Sequence, residues 1–337
     1  MVTNFFRGLL SRFSDLPSNL ARKVHLIGAP RTGGFSLLIG ILVGVVVEWE
    51  FLCVSLRHEY KWILFFGAGV FLVGVYEDRY AKLSPAARFW ATFVLVFLAQ
   101  YFSGIAISSI DIGFIDVILG RSSFVTYLFT AIAILGLINA YNISDGLHGL
   151  SSGLGVVALI MISMASGDSE LSSLALIAGV SLAGFSVVNW ITGRVFLGDG
   201  GAYLVGFLIA SFSIFLAEQA QGISPWFLVL ISIYPITETL FSMVRRLLGR
   251  KSVGTADAFH LHTILFRVLC AKFNLRGFSA GCINSLSAAS IVFFSSLYAS
   301  VGFFVRGQTT TLICLCVFYA IAHGACYFFL KRLDFTD

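Results

Sequence analysis

Charge is what this 337-residue chain has least of: 12% of its residues are Asp, Glu, Lys or Arg, against roughly 25% in an ordinary soluble domain. So few charges cannot cover the surface of a soluble protein of this length, which excludes a soluble enzyme, a disordered chain and a secreted scaffold. Five prolines beside 34 phenylalanines also argue against low complexity. The six cysteines include no Cys-x-x-Cys pair, so Cys314, Cys316 and Cys326 read as small buried hydrophobes rather than ligands or disulfides. A cleavable signal peptide is not expected, because residues 1–33 carry only a short apolar patch, net positive charge and no small-residue cleavage site. Phe5 to Phe13 suits a basic turn or two on the membrane surface. No internal repeat stands out, which weighs against a transporter built from duplicated halves.

What is present is apolar: 58% of the residues are hydrophobic. Continuous runs near 34–47, 61–76, 88–108, 123–139, 149–166, 171–192, 201–217, 225–243, 281–304 and 309–330 predict about ten transmembrane helices in an all-α polytopic bundle. A barrel would instead need short alternating strands. With both termini on one side, that side holds 18 of the 22 Lys and Arg; the other holds Arg57, Lys61, Arg121 and Arg306. The excess puts both termini in the cytoplasm. Trp49, Trp62, Trp90, Trp190 and Trp226 fall near span ends, as an interfacial belt does. Gly40-xxx-Gly44 and Gly149-xxx-Gly153 read as close helix packing. The chain 1–337 is expected to be one transmembrane domain with a cytoplasmic basic loop at 244–280.

With charge this scarce, the position of each of the 17 acids is informative. Glu48, Glu50, Glu59, Asp111, Asp116, Asp168, Glu170 and Glu218 fall in outer loops without pattern and read as a solvated face. The inner side differs. Glu77-Asp78 closes the second run, Asp145 follows the fourth in Asn-Ala-Tyr-Asn-Ile-Ser-Asp-Gly (139–146), and Asp199 precedes the seventh in Phe-Leu-Gly-Asp-Gly-Gly (196–201). A solubilising loop would favour Lys, Glu and Ser, whereas glycines beside a carboxylate suit close approach of backbone to a ligand. Folding would gather these helix ends, and their hard oxygens suit Mg2+ or Mn2+.

The longest inner loop carries seven Lys or Arg, with Asp257-Ala-Phe-His-Leu-His-Thr-Ile-Leu-Phe-Arg267 at its centre. His260 and His262 have no third His or Cys nearby, so phosphate contact through these rings and Arg267 is favoured over zinc. Topology already accounts for most of the basic charge, so nucleic acid is not expected. Near the N-terminus, Arg22-Lys23-Val24-His25 precedes Pro30-Arg31-Thr32-Gly33-Gly34, a Gly-led helix start that can receive phosphate.

Together these segments, from Lys23 to about Arg267, resemble the polyprenyl-phosphate N-acetylhexosamine-1-phosphate transferase family. Its motifs match at 23–25, 30–34, 77–79, 139–146, 196–201 and 260–262. Glu77 replaces an Asp of the family pair, and His148 stands where a second Asp is usual. Glu238 occupies a common Asp position, and Thr263 a frequent His. The family also usually has one more N-terminal helix. These departures lean away from the muramoyl-pentapeptide branch and toward the undecaprenyl-phosphate GlcNAc-1-phosphate branch.

The resemblance implies an enzyme of the bacterial inner membrane. It would move a sugar-1-phosphate from a UDP-N-acetyl sugar to undecaprenyl phosphate, releasing UMP, as the first membrane step of a cell-surface polysaccharide such as an O-antigen. It implies Asp199 as the main ligand of Mg2+ or Mn2+, with Asn142 and Asp145 holding the nucleotide or sharing the metal. Asp78, with Glu77, would orient or deprotonate the lipid phosphate; Lys23, Arg31, His260 and His262 would bind phosphates. A phosphate monoester has a second pKa of about 6, so positioning should matter more than base catalysis. Membrane lipid is the expected surrounding, and a homodimer is left open. Two other readings stay in view. A transporter would place ionisable groups within spans, where Glu238 and His323 are the nearest candidates; a degenerate member acting as a scaffold would account for Glu77 and His148.

Overall fold

A computed structural model describes residues 30–52, 56–220, 222–250, 257–273 and 278–334. Lys23, His25 and the Phe5–Phe13 patch lie outside the described residues. Those described form helices and no sheet: α1 Gly33–Leu52, α2 His58–Tyr80, α3 Pro85–Ser103, α4 Gly113–Leu119, α5 Ser123–Ile143, α6 Leu150–Ala165, α7 Ser169–Thr192, α8 Gly198–Gln219, α9 Pro225–Ile231, α10 Ile233–Leu248, α11 Leu261–Phe273, α12 Ala280–Phe304 and α13 Thr309–Leu333. Eight of these are long and apolar enough to cross a bilayer, as a multi-pass membrane protein requires.

The ten expected spans resolve into those eight, the sixteen-residue α6, and one broken run. The run at 225–243 is not a single helix but α9 and α10, bent by 81° at Ser232. Pro235 supplies the reason. Inside a continuous helix it would remove one hydrogen bond and press its ring on the carbonyl four residues back. In the first turn of α10 it meets neither penalty. The basic loop 244–280 is also shorter than expected, since α10 runs to Leu248 and α11 fills 261–273.

Helix α8 is the axis. Its span is 94% buried, against 28–44% for the other long helices, and α1, α2, α5 and α6 wrap it. Small residues let the backbones meet. A Cβ at Gly74 of α2 would lie 2.5 Å from Gly200 Cα, one at Gly34 of α1 would lie 2.6 Å from Gly201 N, and one at Gly206 would lie 2.7 Å from Ile138 Cα. Gly40 and Gly44 face Ser181 and Ile177 of α7 as their spacing suggested. Cys316 is buried, while Cys314 and Cys326 are exposed on the helix surface rather than buried as expected.

At the far end of the bundle Glu50, Asp111 and Glu218 are exposed, as a solvated face requires, but most of the acids there also have partners. Arg57 pairs with both Asp168 and Glu170. Asp111 accepts from Ser224 and Thr309, Glu218 from Ser108, and Asp116 from the Ile110 N–H. Glu48 is buried with one oxygen unpartnered. With so little charge available, these carboxylates close loop and helix ends.

The facing glycines give a direct test. Overpacking costs about 1–3 kcal/mol, and backbone cannot yield as a side chain does. Gly74→Ala should therefore lower the unfolding midpoint in detergent. Gly136→Ala, where a Cβ meets nothing within 4 Å, should hold or raise it. Equal shifts in the two variants would mean that α2 and α8 are not tightly apposed.

Candidate active site

Three sequence-distant acids reach one end of the bundle because α8 starts there against α2. Gly198 adopts φ +76°, and a Cβ on it would lie 2.7 Å from Asp78 Oδ2, so the turn into α8 requires glycine. That turn lets the Gly200 N–H donate to Asp78 Oδ2 at 3.0 Å. Asp78 thus satisfies an unpaired N–H at the start of α8, where a negative charge also suits the helix dipole. Its other oxygen accepts from Arg31 Nη1 at 3.4 Å, and its side chain is 1% exposed.

The other groups converge around α8's first turn. Asp199 Oδ1 accepts from Asn142 Nδ2 at 3.0 Å, and Oδ2 lies 3.4 Å from Arg88 Nη1. Arg88 also stands 3.6 Å from Glu77 Oε1, while Glu77 Oε2 accepts from the Leu83 N–H at 3.0 Å. Arg88 counted toward topology in the sequence; the structure makes it the cation between two acids of the cluster. Its signal was position, on the first turn of an apolar run behind Ser84-Pro85, where a guanidinium has no solubilising use. A cleft of about 90 Å3 opens beside it, lined by Arg88, Phe89 and Thr92 of α3, Ile138 and Asn142 of α5, and Tyr203 of α8.

Asp145 completes the set from the turn after α5. Burial first, then the charge of Asp199, pushes its carboxyl up to about 7; Arg31 and the Gly198 N–H act the other way. Among the described residues, no three His, Cys, Asp or Glu side chains close on one point as a finished metal cage. The donor chemistry nonetheless fits a hard divalent cation: carboxylate and amide oxygens, with negative charge that Arg31 and Arg88 only partly balance.

The histidines lie on a second cluster that touches the first. His262 is buried, its Nδ1 is 3.0 Å from Tyr234 Oη, and its Nε2 abuts Gly146, next to Asp145. Burial, with neighbouring His260, takes His262 down to about 3, so it is a neutral ring. Of the two rings expected to bind phosphate, His260 keeps an exposed edge while His262 is buried. The Arg267 guanidinium is held by Asp334 and the Ala258 carbonyl, which ties α11 to α13. The His148 ring stacks on Phe196 at 5.8 Å, and its backbone N–H donates to Asn284. His148 packs the loop where the family carries a carboxylate. Glu238 and His323 face each other at 3.4 Å inside the protein.

Asp145 makes stability depend on pH. Its carboxyl holds a proton in the folded chain up to about 7 but releases it near 3.8 when unfolded. Folding therefore binds protons across that window, and stability falls as pH rises through it. In chelator-treated protein the unfolding midpoint should drop from about pH 5 to about pH 8, and Asp145→Asn should flatten this slope. An unchanged slope in that variant would remove Asp145 as its source.

Comparison with known proteins follows the same residues. Residues 60–217 match the family model described as glycosyl transferase family 4. A probable undecaprenyl-phosphate N-acetylglucosaminyl 1-phosphate transferase of Bacillus subtilis (strain 168) is 30% identical over 261 residues, covering 74% of this chain and 68% of that protein. A decaprenyl-phosphate N-acetylglucosaminephosphotransferase of Mycobacterium leprae is 28% identical, covering 80% of this chain and 75% of that one. A phospho-N-acetylmuramoyl-pentapeptide-transferase of Lactobacillus johnsonii is 29% identical over 67% of this chain and 72% of its own length.

Proposed function

The chain belongs to glycosyl transferase family 4, and from that membership we propose that it transfers an N-acetylhexosamine-1-phosphate from a UDP-sugar to undecaprenyl phosphate in the bacterial inner membrane. GlcNAc is the first donor to test, and a cell-surface polysaccharide such as an O-antigen is the pathway proposed. The observation that carries this reading is the meeting of Glu77, Asp78, Asn142, Asp145 and Asp199 with Arg31 and Arg88 at one end of a membrane bundle.

An oxygen of the lipid phosphate attacks the sugar-bound phosphorus, a new P–O bond forms, and the P–O bond to UMP breaks. The acceptor phosphate is already largely dianionic at neutral pH, so the residues mainly position and neutralise. Asp199, held by Asn142, and Asp145 are the proposed ligands of Mg2+ or Mn2+, which when bound would neutralise phosphoryl oxygens and the leaving UMP. Asp78 keeps the start of α8 and Arg31 in place. Arg88, 3.6 Å from Glu77, lines the cleft between α3 and α5, and this cation supports the cleft as the arrival point of the acceptor's phosphate. Lys23, Arg31 and His260 are the proposed phosphate contacts.

Purified protein given Mg2+, undecaprenyl phosphate and a panel of UDP-sugars should release UMP with one N-acetyl sugar preferred. Asp199→Asn should lower that release by about 10²-fold or more while the unfolding midpoint is kept. Full activity in Asp199→Asn would remove it from the metal site. A silent wild type that gained activity on His148→Asp and Glu77→Asp would support the degenerate-scaffold reading.

A further inference from the structure

Glu238 is a buried carboxylate outside the acid cluster. It sits on α10 with 0% exposure, yet both of its oxygens are fully used. Oε1 meets His260 Nδ1 at 2.9 Å and Ser242 Oγ at 3.1 Å. Oε2 accepts from the Leu261 N–H at 3.1 Å and lies 3.5 Å from Tyr234 Oη and 3.4 Å from His323 Nε2. Leu261 opens α11, so Glu238 closes that helix's N-terminus from another helix. One side chain therefore joins α10, α11 and α13.

Its contact with His260 has a chemical consequence. An imidazole holding a carboxylate through Nδ1 has its tautomer and plane fixed by that bond, and its other nitrogen becomes the reactive edge. His260 is held in this way, its ring lies parallel to that of His262 at 5.3 Å and 3°, and its side chain keeps 14% exposure. The other charged groups around it, Asp257 and Arg245, pair with each other. The His260 Nε2 edge is turned away from Glu238.

We propose, on the basis of the transferase reading, that Glu238 is the positioning residue of the donor site: it fixes the His260 ring so that Nε2 meets the anionic part of the nucleotide-sugar. Glu238 does not touch substrate. It acts through His260, and its family-typical Asp counterpart would reach one methylene less far from α10.

A double-mutant cycle on the full-length protein in detergent separates this from a purely structural role. The variants are Glu238→Gln, His260→Gln and the pair, read by KM and kcat for the preferred UDP-sugar and by unfolding midpoint. Glu238→Gln should raise KM for the donor at least fivefold, with KM for undecaprenyl phosphate unchanged within twofold. Glu238→Gln should add no more than twofold to the defect of His260→Gln. Effects that multiply, or a Glu238→Gln enzyme within twofold of wild type, would overturn the proposal. If Glu238→Gln fails to fold, Glu238→Asp goes through the same cycle with the same thresholds. A wild type that releases no UMP with any donor would overturn the transferase reading and this inference with it; an active wild type with an unaffected variant overturns the inference alone.

Discussion

Three helices meet backbone to backbone at Gly34, Gly74, Gly200 and Gly201, and the site end of the molecule depends on that approach. In a bilayer there is little hydrophobic gain in pressing helices together, so contact distance is set by side-chain size. Where the facing residues have no side chain, the first turn of α8 can enter between α1 and α2. Its N–H groups then come within reach of Asp78, and Asp199 is carried to Asn142 and Arg88. A larger residue at any of these positions would part the acids before it touched their chemistry.

The same close packing creates the electrostatic problem that the site turns to use. Carboxylates brought together away from water repel one another and favour the protonated form. Asp78 meets Arg31 and the Gly200 N–H at a helix N-terminus, and Asp199 meets Asn142 and Arg88. Burial first, then the charge of Asp199, outweighs Arg31 and the Gly198 N–H at Asp145 and holds its carboxyl up at about 7. A carboxyl that gives up its proton only near neutral pH can exchange it for a divalent cation.

Much of this was legible in the chain, and what was not has identifiable causes. The long runs gave the helices within a few residues, because twenty apolar residues in a row have few other uses. The acids were legible for the opposite reason, as rare charges beside glycine. Pro235 was visible but its effect was not, since the run around it kept its apolar length. Arg88 was absorbed by the positive-inside count, which assigns cations to a side and not to a partner. Composition does not tell a binding group from one already bonded within the protein: Asp334, 67 residues away, holds Arg267. The partners of the outer acids, Arg57, Ser224 and Ser108, are distant in sequence and could not be read from it.

The two clusters at this end are built on opposite terms, and that contrast separates their tasks. The acids are short of positive charge, whereas Glu238 has His260, two hydroxyls and a backbone N–H as hydrogen-bond partners. A group whose partners are complete does not exchange them easily, because each lost bond would leave a buried polar atom unpaired. The acids can therefore adapt to a ligand, while the Glu238 cluster cannot without loss. They meet where the His262 ring rests on Gly146, one residue from Asp145. Through that contact the Glu238 cluster packs against the turn that carries Asp145.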